Sequence, residues 1–246
     1  MVTKENPLQE LTSKNKQVKL NEQINENAKI YINNELLPII SQILSPLCMC
    51  TIADDGFSIN VRYPNAFGDS YLRPEILLEI VPLASWLPSD KFEISSFSAQ
   101  KFPKIFEKAK CSVNTIVAKR TFWEKATILH HEANRPSDLA MPIRYSRHYY
   151  DLAMMASNKV KDEALADLEL LKNVVDFKQK FYPRTWAKYE EATIGTLKLL
   201  PPEFRLESLK KDYQAMQNMI FDKKLFFDEI IYILQNLEYE INQIRN

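Results

Sequence analysis

Glycine is scarce in this sequence. The 246 residues include three glycines, Gly56, Gly68 and Gly195, and no two of them are close together. A loop that cradles phosphate groups with backbone N–H donors needs clustered glycines, because glycine alone allows the tight turn and the close approach of the backbone. The chain therefore cannot form such a loop by itself.

Cysteines, net charge and long apolar runs are also limited. The three cysteines, Cys48, Cys50 and Cys111, include no second Cys or His pair that would complete a zinc site, so we expect reduced thiols. Lys and Arg together number 32, as do Asp and Glu, which excludes a strong overall field toward nucleic acid or an anionic membrane. No apolar run approaches the roughly 18 residues of a membrane span. We therefore expect a cytoplasmic protein with no membrane partner.

The spacing of apolar residues predicts an α+β fold. Helical spacing over 18–44 predicts a helix that Pro38 kinks or splits. Strands are predicted on both sides of the turn Asp54-Asp55-Gly56 and further along, at 48–53, 57–63, 76–81 and 112–119. Helices are predicted at 121–135, 144–157, 161–182, about 203–220 and 226–245. Strands followed by helices are typical of the α+β class.

A lysine lies beside the apolar face of the first of these later helices. Thr121 and Glu124 have the spacing of a capping box, which predicts that the helix begins at Thr121. At about 100° per residue, Lys125 falls beside an apolar stripe made of Phe122, Ala126, Leu129 and Ala133. Lys125 either extends outward to solvent or holds a positive charge at the mouth of a cleft, where it would suit a triphosphate.

Two of the three histidines are adjacent on this helix. The side chains of His130 and His131 point about 100° apart and cannot bind one metal ion together. We expect them, with Glu132, to line a partly exposed helix face.

The next helix carries several charged residues close together. Arg144, His148 and Asp151 share one face, and Arg147 and Asp151 have the i, i+4 spacing of an ion pair. This pair is either a solvated salt bridge, worth roughly a few tenths of a kcal/mol, or a device by which Asp151 orients Arg147 or a neighbouring lysine toward an anionic ligand.

One carboxylate interrupts a predicted strand. Glu79 lies within the otherwise apolar run 76–81. A buried carboxylate is costly unless it is paired or binds a metal ion. Glu79 is therefore either a metal ligand or a residue at a strand end on the surface.

Five segments of the C-terminal part resemble one protein family. They read RTFWEKATILHHEA (120–133), RPSDLAMPIRYSRHYYDLAMM (135–155), ALADLELLKNVV (164–175), IGTLKLLPP (194–202) and LKKDYQAMQNMIF (209–221). Together they resemble the AbiEii/AbiGii nucleotidyltransferase toxins of type IV toxin–antitoxin and phage abortive-infection systems. The resemblance runs from about Lys19 to Asn242 and includes LRPEILLEIVPLASWLP (72–88).

This resemblance implies a fold and a domain organisation. The fold would be α+β, with the remnant of a polymerase-β-like nucleotidyltransferase sheet followed by a C-terminal helical bundle. We expect a disordered lead-in at 1–17, a partial nucleotidyltransferase α/β core at 18–119 and a helical domain at 120–246.

The resemblance also implies roles for particular residues. Lys125 would contact the nucleotide phosphates as a catalytic and nucleotide-binding residue, and Asp151, which closes the second motif, would be catalytic. Arg147 stands at the position of the motif's lysine and would bind the nucleotide. Glu79 would be a strand-borne carboxylate that ligates metal. Tyr145 and His148 depart from the family's second motif, of which the ending Tyr150-Asp151-Leu152 is kept.

The sequence lacks the family's N-terminal motifs. It contains no Gly-Gly pair and no Asp-x-Asp pair. In the family, a Gly-Gly motif binds the nucleotide and an Asp-x-Asp motif binds two Mg²⁺ ions. Two-metal transfer requires several carboxylates. We therefore expect an N-terminally truncated member of the family that is inactive alone. With the missing motifs supplied, it would transfer a nucleotide from NTP to an RNA or protein acceptor and would use Mg²⁺. A split gene, a wrong start codon and a remnant would each explain this.

Two other interpretations remain open. The chain could be a non-catalytic module that binds a cognate antitoxin protein or RNA through a rim of basic residues, namely Lys119, Arg120, Lys125, Arg135, Arg144 and Arg147. It could instead be a fragment of a fold that exposes an apolar patch and tends to associate.

Overall fold

The computed structural model describes residues 13–64, 75–221 and 224–245. Helices and small antiparallel sheets are both present, so the predicted α+β class is confirmed. The chain divides into two compact units, Met1–Ala84 and Ser85–Asn246. Most of the predicted lead-in, residues 1–12, lies outside the described residues. None of the described helices is long and apolar enough to cross a membrane.

The first unit begins with an interrupted helix. Helix α1 (Lys14–Tyr31) continues through a π-helical turn (Ile32–Leu36) into α2 (Leu37–Leu44). Pro38 lies in the first turn of α2, directly after the π-helical turn, and its missing N–H interrupts the helical hydrogen-bond pattern there. The predicted effect of Pro38 on a helix over 18–44 is therefore confirmed, and the π-helical turn absorbs the change.

A three-stranded antiparallel sheet completes the first unit, in the order β1 (Met49–Ile52), β2 (Ser58–Arg62) and β3 (Glu75–Glu79). The predicted hairpin is confirmed: Asp55 Oδ1 accepts from the N–H groups of Phe57 and Ser58 at 2.8 and 2.9 Å. Gly56 has a φ of +71°, in the left-handed region that favours glycine. The small core lies around the fully buried Ile32 and Ile59.

The second unit begins with a two-stranded antiparallel ribbon. It pairs β4 (Ser89–Ile94) with β5 (Cys111–Ile116), and a short helix α3 (Phe97–Lys101) lies between them in sequence. The strand predicted at 112–119 ends earlier, because α4 (Ala118–Ala133) begins two residues after β5. Strand β4 was not predicted, since all six of its residues are exposed and show no buried face.

Helices form the rest of the second unit. After α4 come α5 (Ser146–Ala156), α6 (Val160–Leu165), α7 (Leu168–Phe181), α8 (Leu206–Ala215) and α9 (Phe227–Asn242). Helix α4 is central and packs against α5, α6 and α7, and α5 also packs against α8 and α9. The helix predicted at 161–182 is two helices, because Asp167 starts a new one by accepting from the N–H of Leu170 at 3.2 Å.

The predicted capping box at Thr121 is wrong. Helix α4 starts three residues earlier, after Val117, and the N–H of Thr121 already bonds to the carbonyl of Val117 at 3.3 Å. The side chain of Glu124 is engaged elsewhere, by Arg120 and Lys178. The predicted apolar stripe is confirmed for Phe122, Ala126 and Leu129, which are fully buried, while Ala133 at its end is half-buried.

Candidate functional site

Helices α4 and α5 bring the two residues predicted as catalytic into contact. Lys125 Nζ donates to Asp151 Oδ2 at 2.7 Å and lies 3.0 Å from His148 Nδ1. We call these three residues the Lys125 cluster. The side chains of Lys125 and Asp151 keep 19% and 37% of their surface exposed, so both are partly accessible to solvent. Their catalytic roles remain predictions.

The histidine of the Lys125 cluster is neutral. Burial lowers the pKa of His148 to about 3, helped by the positive charges of Lys125, Arg147 and Lys178. An ammonium group can only donate hydrogen bonds, so Nδ1 of His148 is the acceptor and its proton lies on Nε2. His148 therefore orients the lysine without adding charge.

A second charged network lies against the first. Arg120 is buried; it donates to Glu124 Oε1 at 2.9 Å and to the carbonyl of Leu87 at 2.6 Å. From α7, Lys178 Nζ donates to the backbone carbonyl of Glu124 at 3.2 Å and lies 3.6 Å from Glu124 Oε2. We call Arg120, Glu124 and Lys178 the Glu124 network. Burial lowers the pKa of Lys178 to about 8, although the Glu124 carboxylate acts to raise it.

Sequence reasoning missed Lys178, although a signal was present. Leu171, Val174, Lys178 and Phe181 recur at helical spacing along α7, and all four are buried. A lysine on the apolar face of an amphipathic helix is expected to be buried and paired. Its partner Glu124 lies 54 residues away in sequence, on α4, and helical spacing cannot predict a contact between such distant residues.

The N-terminus of α5 is held by a residue from α8. Asp212 accepts from the N–H groups of Arg144 and Ser146 at 2.8 and 2.9 Å, and from Ser146 Oγ at 2.6 Å. Arg144 has a φ of +64° and precedes the helix. The prediction that Arg144 shares a helix face with His148 and Asp151 is therefore wrong.

Arg147 lies on the exposed side of α5. The predicted ion pair with Asp151 does not form among the described residues, since Asp151 is bound by Lys125 instead. The charge of Arg147 still acts on the site, because it contributes to the lowered pKa of His148. Its predicted nucleotide contact remains a prediction.

The predicted partly exposed face is wrong for His130 and Glu132, which are buried, whereas His131 keeps 13% of its side chain exposed. His130 is fully buried: Nδ1 accepts from the N–H of Lys198 at 3.1 Å, so Nε2 donates to the carbonyl of Lys188 at 3.0 Å. His131 Nδ1 lies 3.2 Å from the hydroxyl of Tyr189, and burial lowers the pKa of His131 to about 3. Both histidines join α4 to the segment that follows α7.

The described residues do not fit a magnesium site. Glu79 is exposed at the last position of β3, so the premise of a buried carboxylate is wrong, and its role as a metal ligand remains a prediction. Asp151 is occupied by Lys125. Within residues 13–64, 75–221 and 224–245, no three His, Cys, Asp or Glu side chains converge as metal ligands would.

The predicted basic rim is largely neutralised by local partners. Lys119 pairs with Asp167 at 2.6 Å, and Arg135 makes two hydrogen bonds to the buried carboxylate of Glu132, at 2.7 and 2.9 Å. Arg120 and Lys125 are engaged as described above. Most of the rim's charge is therefore compensated within the chain.

Comparison with known proteins identifies the family of this chain. Residues 11–231 match the family model described as nucleotidyl transferase AbiEii toxin, type IV TA system. No curated protein and no solved structure matches the chain. The match spans most of the chain, including every residue of the Lys125 cluster and the Glu124 network, and it confirms the family predicted from the sequence. The chain belongs to the AbiEii family of nucleotidyl transferase toxins of type IV toxin–antitoxin systems.

Proposed function

We propose that the Lys125 cluster binds the phosphate groups of a nucleoside triphosphate. The proposal rests on the hydrogen bonds that the ammonium group of Lys125 makes. An ammonium group has three N–H donors, and in the described structure two of them are directed to Asp151 and His148. The third is left for a ligand, on a side chain that two neighbours hold in place. Such preorganisation favours binding of an anion.

The neighbouring residues support this assignment. Asp151 forms an ion pair with Lys125 and holds it in position, and His148, being neutral, adds no charge of its own. Arg147 is exposed one residue before His148 and offers a second cation at the surface. A guanidinium and an ammonium together suit successive phosphates of one nucleotide.

We propose that this chain holds the nucleotide and does not transfer it by itself. The sequence has neither the Gly-Gly nor the Asp-x-Asp motif, and transfer by the two-metal route needs those carboxylates. Mg²⁺ would be used only if such motifs were supplied. In this proposal, the small sheets are the remnant of a polymerase-β-like core. The acceptor would be RNA or a protein.

Membership of a toxin–antitoxin family implies a cognate antitoxin as a partner. We place the protein in the cytoplasm, which agrees with the free thiols of Cys48, Cys50 and Cys111. The alternative function, a non-catalytic module that binds antitoxin or RNA, would rely on a basic rim whose charges are mostly paired.

Calorimetric titration of the chain with ATP, GTP, CTP and UTP tests the proposal. We expect measurable binding to the wild type and at least a roughly tenfold loss in Lys125→Met, which removes a charge-assisted hydrogen bond. Lys172→Met, an exposed lysine on α7, is the matched control and should bind like the wild type. Equal affinity in wild type and Lys125→Met, or no binding at millimolar nucleotide, would contradict the proposal.

A transfer assay separates binding from catalysis. With labelled NTP, Mg²⁺ and cellular RNA or protein as acceptors, we expect no labelled product from this chain alone. Labelled product that depends on Lys125 and Asp151 would show that the described residues are sufficient after all. RNA binding that weakens steeply with added salt and survives Lys125→Met would favour the alternative function.

A further inference from the structure

A buried lysine lies directly behind the Lys125 cluster. Lys178 is 8% exposed, and its ammonium group lies 3.2 Å from the carbonyl oxygen of the peptide bond that joins Glu124 to Lys125. Its charge and that of Lys125 both act on the same neighbour, His148. Lys178 therefore lies against the backbone next to Lys125 from a neighbouring helix, and it is the more buried of the two lysines.

The carboxylate beside Lys178 is shared. Glu124 Oε1 accepts a 2.9 Å hydrogen bond from Arg120, while Oε2 lies 3.6 Å from Lys178, beyond good hydrogen-bond distance. The carboxylate of Glu124 therefore interacts more closely with the buried guanidinium of Arg120 than with the buried ammonium of Lys178. Lys178 is only partly compensated.

The whole region carries excess positive charge. Three cations, Arg120, Lys125 and Lys178, face two carboxylates, Glu124 and Asp151. His148 is neutral. Burying a cation that is only partly compensated is costly, and an anionic ligand that reaches both lysines would offset that cost.

We propose that Lys178 is a second phosphate-binding cation of this site and selects ligands with a chain of at least two phosphates. This inference rests on the proposed function and deepens it. Lys125 contacts the phosphate nearer the surface, and Lys178 contacts the next one inward. A ligand with one phosphate reaches only the outer lysine, so it gains little from Lys178.

Binding of a phosphate series to Lys178→Met tests this inference. The probes are ATP, ADP and AMP, with inorganic tripolyphosphate to separate a nucleotide from a bare polyphosphate. We expect about a tenfold or greater loss of affinity for ATP, ADP and tripolyphosphate, and less than about a twofold change for AMP. Lys172→Met, on the same helix but exposed, should leave all four affinities unchanged.

Proton uptake gives a second readout that a purely structural role would not produce. The pKa of Lys178 is about 8 under the influence of burial, Glu124, Arg120 and Lys125, so at pH 8.5 the amine is mostly unprotonated. An added anion raises that pKa. The terminal phosphate of ATP is already ionised there, since its pKa is about 6. ATP binding to the wild type at pH 8.5 should therefore take up about half a proton or more, measured by calorimetry in buffers of different ionisation enthalpy.

The variants separate the possible outcomes. Lys178→Arg should keep the preference for ATP over AMP but lose proton uptake, because arginine is always protonated. If Lys178→Met does not fold, proton uptake by the wild type still decides. ATP binding that is lost in Lys125→Met but unchanged in Lys178→Met, with no proton uptake, would overturn this inference alone. ATP binding unaffected by either variant would overturn the proposed function as well.

Discussion

At the scale of single residues, burial determines the charge of the three histidines. The pKa of His130 is lowered, and those of His131 and His148 are lowered to about 3, with burial as the largest cause for each. Each ring makes hydrogen bonds that suit the neutral form, to Lys198 and Lys188, to Tyr189 and to Lys125. All three are therefore neutral at physiological pH.

We predict that His131 and His148 do not titrate between pH 7.5 and 5.5. NMR spectra of these two imidazole rings should show constant ¹³C and ¹⁵N shifts over that interval, and His148 should carry its proton on Nε2. The free energy of unfolding should decrease as the pH falls from about 6.5 toward 3, because the unfolded chain binds protons that the folded chain excludes. A ring that titrates near pH 6.5 would show that it is exposed in solution.

The sequence identified single site residues better than their contacts. Lys125 and Asp151 were predicted from the family motifs, and they meet across 26 residues. Arg147 was predicted to pair with Asp151 from helical spacing, which takes no account of a stronger partner on another helix. Lys178 went unnoticed for the same reason, since its contacts with Glu124 are made between helices far apart in sequence.

At the scale of secondary-structure elements, the start of α5 depends on a distant carboxylate. No residue of α5 itself caps its N-terminus. Asp212 of α8 accepts three hydrogen bonds there, from Arg144 and Ser146, and its negative charge also suits the positive end of the helix dipole. Within about the next turn and a half, α5 presents His148 and Asp151 to Lys125.

Asp212→Ala should destabilise the protein by about 2–3 kcal/mol, since it removes both a helix cap and charge-assisted hydrogen bonds. Urea denaturation, with its slope unchanged, measures the loss. Glu207→Ala is the control on the same helix, because Glu207 is exposed and makes only an i, i+4 pair; we expect a change within about 0.5 kcal/mol. Equal effects of the two substitutions would mean that Asp212 does not hold α5.

Element prediction succeeded where local signals were strong. The hairpin before β3 followed from its Asp-Gly turn, and the break at Pro38 followed from the missing N–H. It failed at β4, whose exposed residues show no buried face and whose partner strand lies beyond an intervening helix. It also failed at Thr121, where the capping pattern was real but good helix formers preceding it let α4 begin at Ala118.

At the scale of the whole molecule, the candidate site belongs to one compact unit. The Lys125 cluster and the Glu124 network both lie within Ser85–Asn246. That unit has its own core, in which the largest fully buried side chains include Trp123, Tyr149 and Leu152. The first unit has a separate small core around Ile32 and Ile59.

We predict that residues 85–246 fold without the first unit. The isolated segment should show a single cooperative unfolding transition in urea and should retain helical circular dichroism. It should also keep the unusual pKa values of His131 and His148, which arise from contacts within the unit. A gradual transition, or imidazole rings that titrate normally, would show that the segment needs the rest of the chain.

The most direct test of the phosphate site uses His148 as an internal reporter. His148 Nδ1 accepts from Lys125, whereas His130 is bonded to Lys198 and Lys188 at the other side of α4. When ATP is added to the full chain, the ¹⁵N signals of His148 should shift and saturate with the binding curve, while those of His130 stay unchanged. Saturating ATP that leaves His148 unshifted would contradict the account, because a phosphate bound to Lys125 must alter the hydrogen bond between them.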